Sequence, residues 1–145
     1  MKPEIDQILG LSAGQMLGGV VPLLPTSYAQ GTASLIAFMM MFAAQEYERG
    51  ADIRATENSE MRALFKSLAP LVRDADLKIH LEAAAITSDS SLKISALDTA
   101  NYELRRLLIS LHIHIEQQKD ETAEKRVWQV LRAMADRRVL KLPSQ

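Results

Sequence analysis

The chain contains 145 residues, of which 48% are hydrophobic and 24% are charged. This composition is typical of a globular protein and excludes an intrinsically disordered chain. The 17 basic residues nearly balance the 18 acidic residues, which excludes a strongly basic nucleic-acid-binding protein, and the absence of cysteine excludes disulfide bonds and thiol chemistry. We therefore expect one cytoplasmic domain spanning residues 1–145, with no nucleic-acid partner and no cofactor.

Residues 1–25 form a glycine-rich segment, which we expect to be an N-terminal helix or arm. Pro3 suits the first turn of a helix that runs to about Val20, and Pro22 and Pro25 end it. Residues 8–24 are mostly apolar, and three glycines repeat every four residues, a spacing known from closely packed membrane helices. These are Gly10, Gly14 and Gly18. Because prolines end the segment and no basic region precedes it, we expect a helix packed on the bundle or a partly ordered arm rather than a membrane-inserted helix.

A long helix is predicted from about Ala33 to Ala69, after a capping signal at Thr26 and Ser27. Ten residues fall within one arc when each residue advances by about 100° around a helix. They are Leu35, Met39, Phe42, Glu46, Gly50, Ile53, Glu57, Met61, Leu64 and Leu68. The phase continues across position 50, so a single helix is favoured over two, and Pro70 is the expected end.

Three further helices are predicted, over residues 74–87, from 91 or 95 to 119, and 121–138. The second has alternative starts at Ser91 and Ser95, because Ser95 and Asp98 have the spacing of a capping box. Asp120 is the predicted cap of the last helix. Since the connections are short, sequential helices should pack antiparallel. The fold class is therefore all-α: an antiparallel helical bundle of five to six helices with two long central helices.

Strands are the alternative for two segments, residues 77–82 and 109–116, because both alternate apolar and polar residues with period two. Such strands would present histidines and glutamates on one face. Helix is favoured for residues 109–116, because strong helix-forming sequence at 103–108 leads into them without a turn signal.

As a helix, the segment around residue 109 has two apolar faces. One arc holds six residues, Leu97, Leu104, Leu107, Leu108, Leu111 and Ile115. This helix, predicted from 91 or 95 to 119, is the fourth along the chain and is labelled α4. Tyr102, Ile109 and Ile113 form an apolar ridge on its opposite side, called here the α4 ridge. Such a helix is either covered on both sides by its own chain or contacts a partner through one face. The α4 ridge is therefore the candidate surface for a homo-oligomer or another protein partner.

His112 and Glu116 are four residues apart, so they lie on one helical face and could share a metal ion or a proton. His114 points to another side, so the three residues do not form a chelating triad on a helix. The favoured interpretation is that the imidazole rings border the apolar faces. No metal site is therefore predicted from the sequence.

Glu46 and Glu57 both lie in the apolar arc of the long helix, where a carboxylate needs a cation or a proton. They are eleven residues apart, about 16 Å along a helix, which is too far to share a metal centre. Arginine partners are expected, and Asn58 and Asn101 lie at the arc edges and could join a buried polar network. The candidate partners are Arg49, Arg54, Arg105 and Arg106.

The chain contains no phosphate-binding loop, nucleophile elbow or zinc-protease motif, so no catalytic residue is predicted. The leading hypothesis is a non-catalytic helical bundle that acts by self-association or by docking on a partner. The alternative is a bundle that binds a small molecule or metal, which could include an enzyme. Its candidate pocket residues are Glu46, Arg54, Glu57, Asn58, Asn101, His112 and Glu116.

Overall fold

The computed structural model describes residues 4–140, and every regular element within that range is helical. The expectation for Pro3 lies outside the described residues. The elements are α1 (Ile5–Gln15), a π-helical turn (Met16–Val20), a 3-10 turn (Val21–Leu23), α2 (Ser27–Leu68), a second 3-10 turn (Ala69–Leu71), α3 (Ala75–Ala85), α4 (Ile94–Gln118) and α5 (Glu121–Arg137). The prediction of an all-α protein with two long helices is confirmed, since α2 has 42 residues and α4 has 25.

Helix α2 extends through Gly50, as the continuous apolar phase predicts. It begins six residues before the expected Ala33, because the Thr26 hydroxyl accepts a hydrogen bond from the Ala29 amide (3.2 Å) and so satisfies a free donor of the first turn. It gives way to a 3-10 turn at Ala69, where Pro70 cannot supply the amide that another α-helical turn needs.

The capping predictions have different outcomes. The Asp74 carboxylate caps α3 by accepting from the Leu77 amide (2.8 Å). The Asp120 carboxylate accepts from the amides of Thr122 and Ala123, so the predicted cap of α5 is confirmed. The predicted start of α4 is wrong for both alternatives, Ser91 and Ser95. The helix begins at Ile94, and the Ser91 hydroxyl is used by the Lys93 amide in the preceding turn. A capping box at Ser95 is absent because Ser95 already lies inside the first turn.

Residues 109–116 lie within α4, so the helical prediction for this segment is confirmed over a strand. Helix α4 ends at Gln118, and the next residue, Lys119, adopts a left-handed backbone conformation with φ of 55°. The amides of Lys119 and Asp120 then return to the carbonyls of Glu116 and Ile115. This closure satisfies two terminal carbonyls of α4 and leads directly into α5.

The described residues divide into two compact units. The C-terminal unit comprises residues 51–139. A single apolar core in it draws on the last part of α2, the turn after it, and α3, α4 and α5. Its buried members are Met61, Leu64, Phe65, Leu68, Ala69, Val72, Leu81, Leu104, Leu108, Leu111, Ile115, Ala123, Val127 and Met134.

The N-terminal unit comprises residues 4–50 and Leu140. Its buried residues are all small: Ala13, Ala33, Ala37 and Gly50. Ten large apolar side chains of residues 4–50 are exposed instead. They are Ile5, Ile8, Leu11, Val20, Leu23, Tyr28, Leu35, Ile36, Met39 and Tyr47. A single domain over residues 1–145 stays a prediction.

The glycine face of α1 is open. A methyl group added at Gly10, Gly14 or Gly18 would meet nothing within 4 Å among the described residues. Within residues 4–140, no helix has the length and sustained hydropathy needed to cross a bilayer.

Candidate functional site

Glu57 is a fully buried carboxylate on α2, and it lies at the centre of a polar network in the C-terminal unit. Arg138 donates to both of its oxygens, with Nε at 2.7 Å from Oε1 and Nη2 at 2.8 Å from Oε2. The second oxygen also accepts from Arg105 Nη2 (3.2 Å) and Asn101 Nδ2 (3.1 Å). Two cations and an amide therefore solvate a charge that burial has removed from water.

The network continues through two buried asparagines. The Asn101 amide also donates to Asn58 Oδ1 (2.9 Å), and Asn58 Nδ2 donates to Asp89 Oδ1 (3.0 Å) and to the Leu97 carbonyl (3.3 Å). Arg62 Nη2 donates to the same Asp89 oxygen at 2.7 Å. These contacts connect α2, α4 and the loop between α3 and α4 through groups whose hydrogen bonds are mutually dependent.

Two opposing effects set the pKa of Glu57. Burial alone would raise the pKa of the carboxyl group, because it disfavours the charged form. The hydrogen bonds from Arg138 and Arg105, the positive charge of Arg138 and the Asn101 amide together outweigh burial, so the pKa of Glu57 lies below its usual value. The buried carboxylate is therefore ionised at neutral pH.

Three of the seven predicted pocket residues, Glu57, Asn58 and Asn101, meet in this network. Arg54 pairs with Asp98 at 2.6 Å. Glu46 is partly buried and belongs to the N-terminal unit. Of the arginines proposed from the sequence, Arg105 does contact Glu57.

His112 and Glu116 lie farther along α4. His112 is eleven residues beyond Asn101, about 16 Å along the helix, so these two side chains do not share a cavity with the Glu57 network. His112 and Glu116 therefore form a second group on α4, apart from the Glu57 network. That the seven residues line one pocket stays a prediction.

His112, Glu116 and Glu124 form a cluster at the α4–α5 turn, called here the His112 cluster. One ligand atom from each residue lies within 4.8 Å of the others, and His112 Nε2 is 3.5 Å from Glu116 Oε1. Trp128 packs edge-on against the imidazole at 5.4 Å between ring centroids, and its indole N–H donates to Glu124 Oε1 (3.4 Å). Glu124 could not be identified from sequence spacing, because it comes from the next helix.

A groove of about 580 Å³ runs between α3 and α4. Leu104, Leu107 and Ala84 contribute apolar surface, and Arg62 and Arg106 contribute charge. Its volume lies within the range of small-molecule sites. None of the seven predicted pocket residues lines it.

The α4 ridge is exposed. Tyr102, Ile109 and Ile113 are each exposed by half or more, and the Arg106 guanidinium lies 6.0 Å from the centre of the Tyr102 ring. A helix covered on both sides by its own chain would have these three side chains buried, whereas among the described residues they are exposed.

No protein-family model, curated protein or solved structure matches this chain.

Proposed function

We propose that this protein is a non-catalytic helical bundle that acts through self-association, with a second copy of the chain covering the apolar surface of its N-terminal unit. The observation that carries the proposal is the contrast within that unit. Its buried residues are alanines and a glycine, whereas ten large apolar side chains of residues 4–50 are 44 to 85% exposed. Burial of apolar surface is the main favourable contribution to folding, and in this unit most of the large apolar side chains remain exposed to solvent.

The exposed apolar area approaches the area that one partner contributes to a stable interface. The ten side chains amount to about six fully exposed ones. Burying one large apolar side chain contributes roughly 1.5–3 kcal/mol, and each Å² of buried apolar surface contributes about 25 cal/mol. About six such side chains therefore correspond to on the order of 400–700 Å² of apolar surface. A monomer rarely exposes a contiguous apolar patch beyond about 300–600 Å², and a standard interface buries about 800 Å² per partner. The surface therefore suits a subunit interface.

A second copy fits this surface better than a charged partner. The exposed side chains are almost all aliphatic, and apolar surface of this kind is enriched in homodimer interfaces. The open glycine face of α1 would also let another helix approach closely. A helical glycine costs about 1 kcal/mol relative to alanine, and close approach of a partner helix would offset that cost.

The bundle arrangement proposed for the C-terminal unit also has support. Asn101 and Arg105, early in α4, contact the same carboxylate as Arg138 at the end of α5. His112, late in α4, lies beside Glu124 near the start of α5. Contacts in this reversed order are those expected of antiparallel neighbours.

Light scattering across a protein concentration series tests the self-association. Leu35 and Met39 are each 61% exposed and lie one turn apart on α2, so changing both to glutamate should leave the monomer folded. We expect an oligomer for the wild type and a monomer with unchanged circular dichroism for L35E/M39E. Ile113→Asp is the matched control on the α4 ridge and should stay oligomeric.

Each alternative result has a defined meaning. A strictly monomeric wild type, or an L35E/M39E variant that stays oligomeric, contradicts the proposal. Dissociation caused by Ile113→Asp alone would instead assign the interface to the α4 ridge. The alternative function is a small-molecule or metal pocket lined by the seven predicted residues, and three of them, Glu57, Asn58 and Asn101, meet in one network.

A further inference from the structure

His112 in the His112 cluster has a buried ring nitrogen without a hydrogen-bond partner. This atom, Nε2, is nonetheless only 3.5 Å from the Glu116 carboxylate. Buried polar atoms nearly always have a partner, so an exception needs an explanation. A ring nitrogen beside two carboxylates can be explained as a ligand for a cation.

The two carboxylates point to the same explanation. The ligand atoms of Glu116 and Glu124 lie within 4.8 Å of each other and of the imidazole nitrogen. Two negative charges at this distance repel each other, and a bound cation would remove the repulsion. In a tetrahedral site with bonds of about 2.0–2.2 Å, ligand atoms are separated by less than this distance, so small rotamer changes would complete the site.

Trp128 holds two of the three ligands in place. Its indole N–H donates to Glu124 Oε1 at 3.4 Å, and its ring packs perpendicular to the imidazole of His112. Metal sites commonly orient their ligands through such outer contacts, in which a hydrogen bond fixes a carboxylate. The His112 cluster therefore has both a ligand set and a supporting residue.

We propose that His112, Glu116 and Glu124 bind a divalent transition-metal ion of the zinc type. One imidazole nitrogen with two carboxylate oxygens is a mixed ligand set that suits Zn²⁺, Co²⁺ or Ni²⁺, whereas Ca²⁺ and Mg²⁺ prefer oxygen ligands alone. Two ligands come from α4 and the third from α5. The ion would therefore connect the two helices across their turn and stabilise the C-terminal unit.

Trp128 is the only tryptophan of the chain, and it contacts two of the proposed ligands, so its fluorescence reports on the site. We expect Ni²⁺ to quench this fluorescence saturably and Zn²⁺ to reverse the quenching by competition. Zn²⁺ at about 100 times its dissociation constant should also raise the unfolding temperature by roughly 10 °C.

Two variants remove ligands with little change of shape. Glu124→Gln keeps an acceptor for the indole N–H, and His112→Phe keeps a ring against Trp128. Both should lose saturable quenching and the thermal shift. His80→Phe on α3 and Glu121→Gln on α5 change the same residue types outside the cluster and should behave as wild type.

The proposal is overturned if wild-type quenching does not saturate below about 1 mM Ni²⁺, or if Glu124→Gln is quenched as strongly as the wild type. Binding that all four variants retain would also overturn it, because the ion would then lie elsewhere. The L35E/M39E variant should bind the metal like the wild type, since these ligands all belong to the C-terminal unit. Metal binding and self-association can therefore fail independently.

Discussion

Replacing Glu57 with glutamine should destabilise the protein more than any exposed charge substitution. The change keeps the size of the side chain but removes the negative charge to which Arg138 and Arg105 donate. It also places an amide N–H₂ group where an oxygen accepts from a guanidinium. Two cations would then face a neutral side chain at a position that is fully buried.

The structure sets the size of the effect. Breaking a buried ion pair by removing one partner typically costs about 3–5 kcal/mol. The side chains of Arg138 and Arg105 are 40% and 42% exposed, so water would still solvate part of their charge. We therefore expect the lower end, a loss of about 3 kcal/mol, from a total that is usually about 5–15 kcal/mol. The unfolding temperature should fall by roughly 10 °C.

Urea denaturation at neutral pH measures this loss, with Glu103→Gln as the control. Glu103 is an exposed glutamate of α4 whose contact with Arg106 is 3.7 Å long, and its replacement should change the free energy of unfolding by less than about 0.5 kcal/mol. Arg138→Gln should cost about 1–2 kcal/mol, because Glu57 keeps Arg105 and Asn101. A loss below about 1 kcal/mol for Glu57→Gln would refute the view that this network stabilises the fold.

Three further predictions follow from the same structure. Because the folded-state pKa of Glu57 is lowered, its stabilising effect is complete above the unfolded value of about 4.3 and is lost as the pH falls through the folded value. The stability difference between wild type and Glu57→Gln, from urea titrations at several pH values, should therefore shrink on acidification; a constant difference contradicts this. Lys119→Gly should raise the free energy of unfolding by about 0.5–1 kcal/mol, because Lys119 has a φ of 55°, whereas Lys119→Ala should give no gain. Asp120→Ala should cost about 1 kcal/mol by urea denaturation and Asp120→Asn much less, since asparagine also caps helices; equal losses would contradict the capping role.

Signals that act over a few residues were sufficient to predict much of the fold. The apolar phase that continues past Gly50 predicted one long helix, and α2 is that helix. Asp120 was identified as a cap because an N-cap carboxylate accepts from amides only two or three positions ahead. The predicted start of α4 is wrong because these short-range signals were ambiguous there. Two serines offered equally good caps there, and Ser91 instead closes the preceding turn.

Contacts between distant positions could not be predicted in the same way. The register of Glu57 in an apolar arc showed that it needed a cation, but nothing in the sequence singles out Arg138, which is 81 residues away. Glu124 was missed as a neighbour of His112 for a related reason. Its approach depends on how the turn at Lys119 directs α5 back along α4, and the sequence carries only weak signals for that geometry.

The polar residues of α4 contribute to two separate groups of contacts, the Glu57 network and the His112 cluster. At about 100° per residue, Asn101, Arg105, His112 and Glu116 fall within an arc of about 60°, next to the buried leucine face. The first two contact the carboxylate that also binds Arg138 at the end of α5, and the last two lie beside Glu124 at its start. A single polar edge of α4 thus follows α5 from one end to the other. Because a shift of one helix along the other by a turn would separate both groups of contacts, this edge should fix the relative register of the two helices.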